Sequence, residues 1–305
     1  MPLHAAPLSR RSFLAHSAAL AGGLLTLRSG FAAEPAVNPS RFALLSDTHI
    51  PSSPDVSARG VNMTANMRQV VQEVVALPTK PAGVIVNGDC AYLKGLPQDY
   101  ANFAECVTPL REAGLPLHVT MGNHDDRDSL YAAMIAQKPE NPVVQTKFVT
   151  VIESPHANWF LLDSLTEVNV VTGEIGEEQR SWLAKALTQH ADKPAIVMAH
   201  HTPQFEAPPE GKPWGGLKDT AEFLELLNDH PQVKLFVFGH SHDWSHRKQG
   251  NLHLLNLPPV AYVFGEGKPN GWVLADIQAD QAHFDLKTLD PRHSQNGERV
   301  TVIWS

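Results

Sequence analysis

Runs of apolar residues recur along the chain, and most of them break off at a polar cluster. In "RFALLSDTHI" (41–50) the stretch Phe42–Leu45 reads as a short strand ending in polar residues. After a loop rich in Ser and Pro, Met67, Val70, Val71, Val74 and Val75 fall at the i, i+3, i+4, i+7, i+8 spacing of a helix with one buried face. "AGVIVNGDC" (82–90) is a second apolar strand, residues 98–113 a second helical pattern, and "LPLHVTMGNHDD" a third strand. The succession β-α-β-α-β, with strands apolar at consecutive positions, predicts sheets covered by helices.

Farther along, "TKFVTVIESPHANWFLLDSL" (146–165) predicts two antiparallel strands about a Pro-His-Ala-Asn turn, and "GEEQRSWLAKAL" a helix with Trp182, Leu183 and Leu187 on one face. "KPAIVMAHHTP" (193–203) and "VKLFVFGHSHDW" (233–244) are two more apolar strands that close on histidines. From Asn251 the tail alternates through "LHLLNL", "GWVLADI", "AHFDLKTL" and "RVTVIWS", which reads as a meander of strands. No repeat, low-complexity tract or clear linker interrupts residues 41–305, so one catalytic domain is expected there.

Composition narrows the function. A chain of 305 residues with 43% hydrophobic content can bury a sizeable core. The formal net charge of -8, without a block of basic residues, argues against a nucleic-acid polymer as partner. A small phosphate ester remains compatible, because a metal can meet its charge locally. The two cysteines, Cys90 and Cys106, exclude a disulfide scaffold and a zinc knuckle. They read as small buried hydrophobes, with a single bridge left open. Residues 1–33 carry Ser9-Arg10-Arg11-Ser12-Phe13-Leu14 ahead of a modest apolar run and Gly30-Phe31-Ala32. Paired arginines before a run too short to span a bilayer look like a twin-arginine export signal. The expected partner is then the twin-arginine export machinery, and the expected location periplasmic or extracellular. Oligomeric state leaves no trace in the sequence.

Five apolar strands finish in groups able to bind metal: Asp47-Thr48-His49, Gly88-Asp89, Gly122-Asn123-His124, His200-His201 and Gly239-His240-Ser241-His242. Sites in open sheets form beyond the carboxyl ends of strands. Each cluster alone is an ordinary turn. Together, in this order, they would deliver carboxylate, imidazole and amide ligands to one crevice. In Gly-His-Ser-His, the two histidines, two apart on an extended segment, point to the same side.

At this point the sequence resembles the calcineurin-like metallophosphoesterase superfamily, whose ordered signature is Asp-x-His, Gly-Asp, Gly-Asn-His-Asp/Glu, His and Gly-His-x-His. The resemblance covers about Arg41 to Trp244. "GNHDDR" and "KPAIVMAHHTP" are most similar to the bacterial cyclic-nucleotide and glycerophosphodiester phosphodiesterase group. It implies an α/β fold, a four-layer αββα sandwich of two mixed β-sheets with a dinuclear metal site at the strand carboxyl ends. It also implies that one metal takes Asp47, His49, Asp89 and His242, and the other Asp89, Asn123, His200 and His240. Asp89 would bridge two divalent or trivalent transition-metal ions (Fe, Mn or Zn), which mixed imidazole and oxygen ligands suit. The implied activity is hydrolysis of a small phosphate ester, most of all a diester, by in-line attack of a hydroxide bridging the metals. The two cations outweigh Asp47, Asp89 and that hydroxide, and the neutral amide of Asn123 preserves the positive surplus.

His124 is then left facing substrate as a catalytic imidazole, with Asp125 expected on its other nitrogen. Arg127 is a candidate phosphate contact, and Trp214, in the loop "TPQFEAPPEGKPWGGLKD" (202–219), either stacks on a base or packs its own loop. Thr202 stands where the family often has Pro, which leaves His201 as an alternative to His200. His246 and His253 read as peripheral. Within the fold the competing activity is a phosphomonoesterase like the purple acid phosphatases, for which Tyr92 would be the metal-binding tyrosine. A catalytically inactive binding scaffold is the distant alternative, since such members lose ligands and this chain has lost none.

Overall fold

The computed structural model describes residues 3–5, 36–134 and 142–305; the rest of the expected export signal lies outside the described residues. In chain order the strands are β1 (Leu3–Ala5), β2 (Val37–Leu45), β3 (Ser57–Ala58), β4 (Val61–Asn62), β5 (Lys80–Asn87), β6 (Leu117–Thr120), β7 (Thr150–Ile152) and β8 (Asn158–Leu161). They continue with β9 (Ala195–Met198), β10 (Val233–Phe238), β11 (Ser245–Gln249), β12 (Leu252–Asn256), β13 (Gly271–Ile277), β14 (Gln281–Thr288) and β15 (Arg299–Ile303). The helices are α1 (Met63–Val75), α2 (Pro97–Glu112), α3 (Arg127–Ala133), α4 (Glu177–Gln189) and α5 (Thr220–Asn228).

Seven strands form one sheet in the order β1-β6-β5-β2-β13-β14-β15, and six form a second, β11-β12-β10-β9-β8-β7. The consecutive apolar positions are explained by two buried faces per strand. In β2, Phe42 and Leu44 point between the sheets, where they meet Trp159, Ile196, Met198, Leu235 and Val237. Their neighbours Ala43 and Leu45 point outward onto Met67, Val70 and Val74 of α1 and Phe103 and Val107 of α2. The second sheet repeats the arrangement: Val197 and Phe236 face Leu183 and Leu187 of α4 and Phe223 and Leu227 of α5. Three apolar layers between four layers of structure make the αββα sandwich that the family resemblance implies.

Three expectations need correction. The tail is not one meander. β12 lies parallel to β10 and closes the second sheet with β11, whereas β13, β14 and β15 run antiparallel on the first sheet, joined to it through β2. The break falls at Pro258-Pro259, which cannot donate to a strand ladder. Helices α3 and α5 are absent from the sequence reading. α5 spans only 9 residues and buries Phe223, Leu224 and Leu227, too few turns to raise a periodic signal. Both cysteines are buried and free, so the bridge left open does not form.

The parallel strands place the chemistry. β2, β5 and β6 run together in the first sheet, and β9 and β10 in the second. All five polar clusters therefore lie at the carboxyl ends of parallel strands.

Candidate metal centre

The two sheets are stitched together at that edge by hydrogen bonds between side chains and backbone. His240 N donates to both carboxylate oxygens of Asp47 at 3.1 Å, and Asn87 Nδ2 donates to Ala199 O at 3.2 Å. His200 Nδ1 donates to Asn87 O at 2.8 Å. Close approach is enforced by glycine at Gly88, whose φ is +74° and where a Cβ would stand 2.6 Å from Gly122 N and against the His200 ring.

Five of the expected ligands hold left-handed backbone themselves: Asp47, His49, Asp89, His240 and His242, with φ of 45° to 69°. Each such non-glycine residue costs about 1–2 kcal/mol. The five together approach the whole net stability of a domain, about 5–15 kcal/mol. Strands with both faces buried hold them there, and the result is that all five side chains turn back toward one point.

Three overlapping groups of donors result. Asp47, His49 and His242 form one; His49, Asp89 and His124 a second; Asp89, His200 and His240 a third, each with its donor atoms within 4.8 Å of one another. His49 Nε2 stands 3.0 Å from His242 Nε2 and 3.6 Å from Asp89 Oδ2, and His200 Nε2 is 3.3 Å from Asp89 Oδ2. Asp89 and His49 link the groups.

The other ring nitrogens are fixed from behind. His242 Nδ1 donates to Tyr262 O at 2.5 Å, and His240 Nε2 to Gly215 O at 3.0 Å. Such contacts set the tautomer and aim the free nitrogen inward. Ser46 Oγ donates to Asp47 Oδ2 at 2.5 Å.

A cation suits this donor set. Among the described residues, Asn123 Oδ1 and His49 Nδ1 are buried without a hydrogen-bond partner, as is His200 Nε2. Burial, and then neighbouring imidazoles, depress His49 to about 3 and His240 to about 4, so both rings are neutral and competent as ligands. Burial also works against charge on His200, yet the carboxylates of Asp89 and Asp47 raise it to about 10. Two carboxylates at the centre thus draw a positive charge to it even at the expense of a buried ring. Imidazole, carboxylate and amide oxygen together suit zinc, iron or manganese.

Of the sequence-predicted residues, Asp47, His49, Asp89, His124, His200, His240 and His242 come together, and Asn123 lies buried beside them. His201 does not join these groups. Its Nδ1 meets Ser164 Oγ at 2.7 Å, and its ring lies against His240 at 4.7 Å. His246 and His253 stack on each other on β11 and β12, away from the centre.

The role expected of Asp125 is overturned. Its carboxylate takes hydrogen bonds from Cys90 N, Ala91 N, Gly122 N and Tyr100 Oη at 2.9–3.2 Å, and none from His124. His124 Nδ1 donates instead to Leu93 O at 2.6 Å. A fully buried carboxylate is satisfied by the four nearest donors, and the turn after β6 aims it inward, away from its neighbour in sequence. Asp125 is a positioning residue that ties the Asp89 turn to the Asn123 turn. Arg127 is likewise no free phosphate contact. Its guanidinium grips buried Asp163 with two hydrogen bonds, at 2.8 and 2.7 Å, and also donates to Leu165 O. Tyr92 packs in a small apolar cluster with Met63, Ala261 and Tyr262.

Sequence reasoning passes over Tyr262, whose ring stacks on His49 at 5.2 Å, and Phe264, which stacks on His242 at 4.2 Å. Both come from the irregular stretch after β12, and only an aromatic pair at i, i+2 in "AYVFGEG" marks it.

Comparison with known proteins agrees with this geometry. The profile of the calcineurin-like phosphoesterases matches residues 40–244. The 3′,5′-cyclic adenosine monophosphate phosphodiesterase CpdA of Pseudomonas aeruginosa is 27% identical over 228 residues, which cover 73% of this chain and 77% of that protein. A 3′,5′-cyclic-nucleotide phosphodiesterase of Nostoc sp. is 25% identical, over 74% of this chain and 80% of its own. Among solved structures, a dimetal phosphatase from Danio rerio superposes with a TM-score of 0.65 at 16% identity, over 87% of this chain and 99% of its own. A purple acid phosphatase from yellow lupin seeds gives 0.60 at 14%, over 87% and 53%. At these identities the two structures establish the fold.

Proposed function

The chain belongs to the calcineurin-like phosphoesterase family, metal-dependent hydrolases of phosphate esters, and from that premise we propose that it cleaves small phosphodiesters, with 3′,5′-cyclic nucleotides as the favoured class. One observation carries the reading: His49 joins the first donor group to the second and Asp89 joins the second to the third, which makes the contiguous donor set that two adjacent cations need. The Pseudomonas and Nostoc relatives, both cyclic-nucleotide phosphodiesterases, favour the diester. We assign Asp47, His49, Asp89 and His242 to one metal, and Asp89, Asn123, His200 and His240 to the other. When bound, the two ions supply Lewis-acid charge that binds the phosphate and activates water.

The residues do the rest. Asp47 and Asp89 hold the ions' charge close to the strand ends, and the neutral Asn123 adds a ligand without cancelling any of it. His124, locked by Leu93 O through Nδ1, presents Nε2 to the same space as His49 and Asp89. That nitrogen is the group placed to steady the phosphoryl oxygens and to hand a proton to the leaving oxygen, roles worth roughly 10²–10⁴-fold.

The monoesterase alternative rests on Tyr92, three residues past Asp89. Its ring packs with Met63 and Tyr262, which favours a structural part for it. Turnover of bis(p-nitrophenyl) phosphate against p-nitrophenyl phosphate, with added manganese, tests the choice. Wild type is expected to prefer the diester, and Asn123→Ala to lose at least about 10²-fold in kcat. Equal rates in wild type and variant would remove Asn123 from the centre, and preference for the monoester would reverse the substrate assignment.

A further inference from the structure

One side of the centre is faced with aromatic rings, and an arginine stands over them. Tyr262 lies nearly parallel to His49, at 20°, and Phe264 nearly parallel to His242, at 22°. Tyr262 is 8% exposed, while Phe264 is 55% exposed. The Arg59 guanidinium carbon sits 4.8 Å from the Phe264 ring centre and 5.6 Å from that of Tyr262.

Arg59 is held there. It occupies the tip of the hairpin β3–β4, where Ser57 pairs with Asn62 and Ala58 with Val61. Arg59 and Gly60 take φ of +49° and +82°, the signs a two-residue hairpin turn requires. Glycine meets that demand without strain; arginine does not. The hairpin runs straight into α1, whose first turn Asn62 caps by accepting from Ala65 N at 2.7 Å, and Ala58 and Val61 pack on Met63 and Tyr262. The aromatic strip is anchored as firmly: Ala261 N donates to Asp47 O, and Asn66 Nδ2 to Ala261 O. Beyond Phe264, Lys268 pairs with Asp243 at 2.9 Å.

The exposed arginine is also unspent. Arg41, Arg68, Arg127, Arg180, Arg292 and Arg299 each hold a carboxylate, whereas among the described residues Arg59 has none; Arg247, likewise without one, lies over the exposed ring of Phe205 instead. A solvated face would normally give such a side chain a carboxylate or let it sweep freely. Here it lies over rings that continue into two of the proposed metal ligands.

The geometry points to Arg59, Tyr262 and Phe264 as the specificity subsite of the centre, taking an aromatic substituent of the ester, such as a nucleobase, against the outer face of the guanidinium plane that Phe264 backs. This rests on the phosphodiesterase reading and adds the chemical class of the substituent. A phosphate bound at the metal assigned to His49 and His242 would have its ester group beside the rings that stack on those two ligands. Flat π-systems bind there by stacking, and guanidinium planes stack on them as well. An aliphatic ester group gains little from either.

The test is steady-state kinetics on a 3′,5′-cyclic purine nucleotide and on glycerophosphoethanolamine, for wild type, Phe264→Ala, Phe264→Trp, Arg59→Ala and Arg59→Lys. Metal content and melting temperature are measured for each, so that loss of the fold is seen separately. Phe264→Ala and Arg59→Ala are expected to lower kcat/KM on the nucleotide by about 10- to 100-fold, mainly through KM, from the worth of one stacked base. The loss on the aliphatic diester should be several-fold smaller. Phe264→Trp should restore nucleotide turnover, while Arg59→Lys should not, because ammonium does not stack. Equal losses on both esters, or no loss on either, overturns the assignment. Should wild type hydrolyse only monoesters, the diester reading falls alone. The same variants are then compared on p-nitrophenyl phosphate and glycerol phosphate, where a differential loss supports the subsite and its absence overturns it.

Discussion

Asp125 shows how far a residue's neighbours in sequence mislead about its neighbours in space. Adjacent to His124, it reads as that ring's partner; in the fold it accepts hydrogen bonds from Cys90 N, Ala91 N, Gly122 N and Tyr100 Oη instead. Its burial, with the charge of Asp89 behind it, lifts the carboxyl to about 6. Truncation to Asp125→Ala would leave buried donors unpaired at about 1–3 kcal/mol each. The variant is expected to lose about 3–5 kcal/mol in urea unfolding, since the four donors will partly find water. If it kept wild-type stability and lost only turnover, the carboxylate would belong to His124 after all. Asn123, by contrast, keeps the part proposed for it, because its buried amide oxygen has no hydrogen-bond partner among the described residues and can accept a cation.

At the scale of elements, β11 and β12 offer a site where protonation and strand pairing meet. His246 Nε2 and His253 Nδ1 share a hydrogen bond of 2.8 Å across the ladder, and Lys248 pairs directly opposite His253. Burial, then Lys248 and His246, depress His253 from its ordinary 6.5 to about 4. A histidine depressed in the fold binds fewer protons there than in the unfolded chain, so its contribution is complete above 6.5 and is lost as pH falls toward 4. The stability difference between wild type and His253→Gln, read from urea midpoints between pH 7.5 and 4.5, should therefore shrink steadily on acidification. A difference independent of pH would show that the pair is exposed to solvent and titrates normally.

Across the whole molecule, the centre is assembled from five strands in two sheets, so its ligands come together only once the fold has formed. That bears on the proposed route out of the cell. A twin-arginine signal sends proteins across already folded, which would let the chain take up its metals before export. Replacing Arg10 and Arg11 with Lys should leave the full-length chain in the cytoplasm, folded and metal-loaded. Processing and export at wild-type levels would discard the assignment of residues 1–33.

The sequence by itself determined that helices cover the sheets and which side chains could bind metal, while the four-layer αββα order followed from the family resemblance those motifs carry. The first two come from local rules: strands apolar on two faces demand cover on both, and a ligand must be an imidazole, carboxylate or amide wherever it falls. Only the tertiary structure decided which of the adjacent histidines His200 and His201 faces Asp89, where Asp125 and Arg127 spend their charge, and that Arg59 meets Phe264 from 205 positions away. Those outcomes depend on direction and distance between segments far apart in the chain. No periodicity encodes them, because each is settled by which donor lies nearest once the sheets have packed.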